Sequence, residues 1–99
     1  MKVLKVTISA RAEKNLDDLV EYLESKWPAK VKKEFLKKLL NSVTLISKNP
    51  YLFPASEKKK EIRKCILTKH NSMYYRVMKD EIEIITIQDN RRNPDDLKL

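Results

Sequence analysis

Ninety-nine residues, 41% hydrophobic and 36% charged with a net charge of +8, predict one domain over residues 1–99 with a modest core and a heavily solvated surface. No apolar run approaches the roughly 18 residues that span a bilayer, and MKVLKVTISARAEK lacks the apolar stretch of about 7–15 residues of a secretion signal, so a cytoplasmic protein is expected. One cysteine and one histidine exclude a disulfide framework and a metal cluster built on those residues, and no cofactor is expected.

KVLKVTI (2–8) alternates, with Leu4, Val6 and Ile8 on one face and Lys5 and Thr7 on the other, which predicts a half-buried strand. Ser9 is a suitable N-cap for a helix in which Ala12, Leu16, Leu19, Val20, Leu23 and Trp27 form one apolar stripe. Pro28 stops that helix, because the residue before proline is pushed out of the α region. A second helix is predicted from about Ala29 to Lys48, its stripe of Val31, Phe35, Leu39, Val43 and Ile46 widened by Leu36 and Leu40. The short connection implies an antiparallel helical hairpin.

NPYLFPASEKKK (49–60) reads as a loop tacked to the core by Tyr51, Leu52 and Phe53. Three strands follow at 61–67, 72–78 and 81–87, reversed at His70-Asn71 and Lys79-Asp80, where Asn and Asp tolerate the left-handed backbone that glycine would otherwise supply. The sequence contains no glycine. The predicted class is therefore α+β, in the order β-α-α-β-β-β, with a helical hairpin on one face of an antiparallel sheet. Lysines in the first strand suit a sheet edge.

The charge is unevenly placed. Residues 1–26 net zero, residues 27–70 carry twelve positive against three negative charges, and residues 71–99 net −1. Such a basic block implies an acidic partner, either a protein or a nucleic acid. Direct nucleic-acid binding through the basic second helix is one reading. It lacks a recognition-helix motif and the aromatic platform that single-stranded RNA demands.

SARAEKNLDDLVEYLESKW, the Phe-Leu-rich second helix ending in Asn-Pro, EIRKCILTKHNSMYYRV and EIEIITIQDNRRNPDDL together resemble the ParE/RelE family of type II toxin–antitoxin toxins, over nearly the whole chain. The resemblance implies a small toxin held in a hetero-oligomer by a cognate antitoxin. It also implies one of two targets: DNA gyrase, inhibited by ParE-like members, or messenger RNA on the ribosome, cleaved by RelE-like members. The lysines Lys30, Lys33, Lys37 and Lys64 are the candidates to meet an acidic antitoxin.

Metal-free RNA cleavage needs a base for the 2′-hydroxyl, an acid for the 5′-oxygen and cations around the phosphorane. The candidates are Lys60, Arg63, His70 and Arg76, with Arg63 and Arg76 expected to share the exposed sheet face. After Ile87 the chain has no Tyr, His or Glu to transfer a proton. The ending DNRRNPDD looks more like a ParE-type ending, in which Asp89, Arg91 and Arg92 form a target-binding surface. Arginine pairs suit bidentate contact with carboxylates or phosphates.

Overall fold

The computed structural model describes residues 3–56, 59 and 61–90. Its elements are β1 (Lys5–Ile8), α1 (Ala10–Lys26), α2 (Ala29–Lys48), β2 (Arg63–Ile66), β3 (Asn71–Val77) and β4 (Glu81–Asp89), in the order that the sequence predicts. The sheet order is β1-β4-β3-β2, which puts β1 at an edge. β2, β3 and β4 are antiparallel, but β1 runs parallel to β4, so the sheet is mixed where an antiparallel one was expected. Short reversals force antiparallel pairing on the last three strands. β1 meets β4 only after two helices and two strands, so no hairpin fixes its direction.

Ser9 does two jobs at the start of α1. Its Oγ accepts the Ala12 N–H at 3.0 Å, capping the helix, and its hydroxyl donates to the Ile85 carbonyl at 2.7 Å, tying the helix start to β4. The helix ends as the proline dictates, with Trp27 extended at φ −132° and ψ 157°. Across the hairpin, Lys32 donates to Glu24 at 2.8 Å.

The core joins Ala12, Leu23, Phe35 and Ile46 from the helices to Cys65, Met73, Tyr75, Ile82, Ile84 and Ile87 from the sheet. The apolar stripes are wider than the core they meet. Leu40 is 66% exposed and Trp27 52%. At 100° per residue, Leu36 and Leu40 lie about 80–120° round α2 from the line of Phe35, Leu39 and Ile46, which turns them away from the sheet.

Strict alternation fails once, in β4. Tyr74 opposes Thr86 but Tyr75 opposes Ile84, which leaves Ile85 as the extra residue of a β-bulge. The bulge lets Ile84 and Ile87, three apart, both join the core. A buried polar link completes it. Asn15 Oδ1 on α1 accepts from the Thr86 hydroxyl at 2.7 Å and from the Ile87 N–H at 3.2 Å. With Thr86 fully buried, an unpaired hydroxyl there would be costly.

The turns do without left-handed backbone. No described residue has positive φ, against the expectation for Asn71 and Asp80. Between β2 and β3 the Thr68 hydroxyl instead accepts the His70 and Asn71 N–H groups, both at 3.1 Å, so a side chain does what glycine would have done. Residues 50–56 fold back onto the edge of β2. Lys64 N–H donates to the Pro54 carbonyl at 3.1 Å and Ser56 N–H to Ile62 at 2.6 Å, while Tyr75 Oη holds the Pro50 carbonyl at 2.9 Å.

Candidate functional site

Strand register decides what each cation can do. Arg63 opposes Tyr75, so it points to the helix-covered face of the sheet. Arg76 is the next residue along β3 and points to the other face, opposite Glu83. The two arginines therefore do not share the exposed face. Arg63 Nη1 donates to the Phe53 carbonyl at 2.6 Å and the Tyr51 carbonyl at 3.5 Å, and its guanidinium lies 4.9 Å from the Tyr51 ring centre. Its charge serves the 50–56 loop. Arg76 is paired with the Glu83 carboxylate, through Nε and Nη2 at 2.9 Å each.

His70 is exposed in the β2–β3 turn, at the opposite end of β3 from Arg76. They are six positions apart along the extended chain, roughly 20 Å. Of the other tyrosine and thiol groups near Arg63, burial pushes the Tyr75 phenol up to about 12, partly offset by the Arg63 charge, and burial pushes the Cys65 thiol up, partly offset by a hydrogen bond with Ser42. Both are held protonated at neutral pH, deep in the core. Lys60, Arg91 and Arg92 lie outside the described residues.

The four lysines assigned to an acidic partner divide between two surfaces. Lys30, Lys33 and Lys37, at helical spacing, form one exposed row on α2, with Lys30 reaching Glu34 at 3.9 Å. Lys64 opposes Tyr74 and points with it to the face of the sheet that the helices leave open.

Polar groups do converge where β4 ends. Asp89, Thr68, His70 and Asn71 line a groove of about 690 Å³ together with Leu19, Leu23 and Phe35 and with Glu34 and Lys38 of α2. Tyr22 and Trp27 also line it, each 52% exposed. Sequence reading assigned Trp27 to the core stripe and passed over Tyr22. Asn90 is held at the same place by hydrogen bonds to the turn, which sequence reading also missed. The signal was available: TKHNS is rich in side chains that bond to backbone, at a reversal without glycine. Among the described residues no group of three or more His, Cys, Asp or Glu gathers to hold a metal ion, and no helix is long and apolar enough to cross a membrane.

A helical hairpin laid on one face of a four-stranded mixed sheet, in the order β-α-α-β-β-β, is the fold of the ParE/RelE toxins. The chain is similar to a solved chromosomal ParDE toxin–antitoxin system from P. aeruginosa, with a TM-score of 0.73 and 17% identity over 90% of this chain and 98% of that one. It is also similar to a YoeB/ParE toxin from Agrobacterium tumefaciens, with a TM-score of 0.66 and 13% identity over 88% and 99%. Against the E. coli DinJ-YafQ toxin–antitoxin complex the TM-score is 0.59, with 12% identity over 90% and 93%. No curated protein matches the chain by sequence. The family described as ParE toxin of type II toxin-antitoxin system, parDE, matches residues 6–94, and the chain belongs to that family.

Proposed function

We propose that the protein is neutralised by a cognate antitoxin and, once released, arrests growth by binding an essential target, DNA gyrase, rather than by cutting RNA. The observation that carries this reading is the dispersal of Arg63, His70 and Arg76, the candidate nuclease groups among the described residues. A base, an acid and a cation must reach one phosphate together. Arg63 instead serves a loop on the helix side, Arg76 is paired on the open side, and His70 sits roughly 20 Å along the strand. Binding a target needs only a surface, and in our reading Asp89, Arg91 and Arg92 are its residues, the arginines being suited to carboxylates or phosphates.

An antitoxin partner is supported by the P. aeruginosa ParDE system and the E. coli DinJ-YafQ complex, both toxin–antitoxin assemblies, and by the excess of nine positive charges over residues 27–70. The partner's toxin-binding segment is expected to be acidic with apolar anchors, and its association rate to fall steeply as salt rises.

The test follows DNA and protein synthesis by pulse-labelling in one bacterial culture after the protein is induced alone. DNA synthesis stopping first is the expected result. Protein synthesis stopping first overturns gyrase inhibition in favour of ribosome-dependent mRNA cleavage.

A further inference from the structure

The groove lined by Tyr22 and Trp27 carries chemistry that neither the nuclease nor the gyrase reading uses. Both aromatics are half-exposed, and Trp27 is held in place by its own backbone. Pro28 makes it extended, and its N–H donates to the Leu23 carbonyl at 3.0 Å. Fixed aromatics that line a groove with Leu19, Val31 and Phe35 are the kind of anchor that carries most of the energy of a protein interface.

The lining also decides what form an occupant takes. α1 and α2 bond their backbone groups internally. The carbonyls of the β2–β3 turn are taken as well. Thr68 and Lys69 each accept from Asn90 Nδ2 at 3.0 Å, His70 accepts the Asn90 N–H at 2.8 Å, and Asn71 accepts the Leu67 N–H at 2.9 Å. The groove therefore offers side chains, and no row of backbone groups with which an added strand could pair. A segment that buries its backbone there must satisfy its own N–H and C=O groups, and a helix does so.

Charge sets the flank. Glu34 and Asp89 line the groove against Lys38, which favours an apolar face inside it over an acidic one. At 100° per residue, the exposed Lys30 and Lys37 lie about 40–60° beyond Glu34 round α2, away from Phe35. Lys30 reaches Glu34 only at 3.9 Å with both side chains exposed, so solvent screens that pair.

We propose that this groove seats an amphipathic helix of the antitoxin, with its apolar stripe on Tyr22, Trp27 and Val31 and its acidic flank against Lys30 and Lys37. The proposal rests on the reading of the chain as a toxin neutralised by an antitoxin.

The antitoxin for the test is the clone from a library of the source genome whose co-expression relieves the growth arrest caused by this chain. The two purified full-length proteins are titrated by calorimetry, with the melting temperature of each variant recorded. Tyr22→Ala/Trp27→Ala is expected to melt as the parent does and to weaken the complex roughly thirtyfold or more. Leu40→Ala, at an exposed leucine elsewhere on α2, is expected to stay within about twofold. Lys30→Glu/Lys37→Glu is expected to slow association, most of all at low salt. Alanine substitutions along the antitoxin are expected to weaken binding at a spacing of three and four residues.

Parent-like affinity in the aromatic variant overturns the proposal and leaves the toxin reading standing. Losses at every second position of the antitoxin overturn the helix in favour of a strand, and unchanged association in the lysine variant overturns the charged flank. Absence of any relieving clone removes the antitoxin reading itself, and the proposal falls with it.

Discussion

The two faces of the sheet put the same residue type to different work. On the helix-covered face Arg63 touches the Phe53 and Tyr51 carbonyls and the Tyr51 ring, among residues as buried as Tyr75 and Cys65. On the open face Arg76 meets Glu83 in solvent, and Ile66, opposite Ser72 further along the same face, is 63% exposed. A single step of strand parity separates the two environments. Parity, not residue type, decides whether a cation organises the fold or decorates a surface. It also breaks up a constellation that the composition alone would allow.

The sharpest way to break this comparison is to delete volume on each face. Ile82, fully buried and paired with Val6 and Val77, should lose roughly 2–5 kcal/mol as Ile82→Ala, whereas Ile66→Ala should stay within about 0.5 kcal/mol. Denaturant melts of the two variants decide it, and similar losses in both would mean that the faces are misassigned.

The pH dependence of stability probes the covered face. Burial raises the Tyr75 phenol from 10 to about 12 in the folded chain, so the unfolded chain loses its proton first as pH climbs. The stabilisation is complete below pH 10 and is lost as pH rises towards 12, up to roughly 2–3 kcal/mol. Tyr75→Phe should flatten that part of the curve relative to the parent chain. An unchanged slope would show that the phenol ionises freely in the folded state.

Arg63→Ala comes next, at about 1.5–3 kcal/mol, because a charged donor leaves two loop carbonyls and an aromatic face together. Arg63→Lys should recover only part of this, since an ammonium lacks the planar fork. Thermal melts check both. Full recovery by lysine would reduce the contact to a point charge.

Much of the fold was legible because its signals are local. Ser9 as a cap, Pro28 as a stop and the stripe of Phe35, Leu39 and Ile46 are each written within one helical turn or two. What escaped depends on residues far apart in the chain. The parallel direction of β1 is fixed by Lys5 meeting Glu81, and the extra residue Ile85 in β4 is tolerated because Asn15, some seventy positions earlier, accepts the Thr86 and Ile87 donors. The candidate cations were visible as residue types. Their faces were not, because register across β2 and β3 follows from a turn held by the Thr68 hydroxyl and not by a recognisable glycine dipeptide. Asn90 was passed over for the same reason, since its partners Thr68, Lys69 and Ser72 become neighbours only once β3 and β4 pair.

The smallest expected effect sharpens the comparison from its open side. Arg76 and Glu83 stand directly opposite each other, with both guanidinium contacts at 2.9 Å, a geometry that could be mistaken for a strong bond. The Arg76 side chain nevertheless keeps 49% of its exposure, so solvent screens the attraction and ordering two long side chains offsets much of it. A double-mutant cycle of Arg76→Ala and Glu83→Ala should give a coupling of about 0.2–1 kcal/mol, weaker at high salt. A coupling as large as the whole loss for Arg63→Ala would mean that the open face is shielded from water, and with that the contrast between the two arginines would disappear.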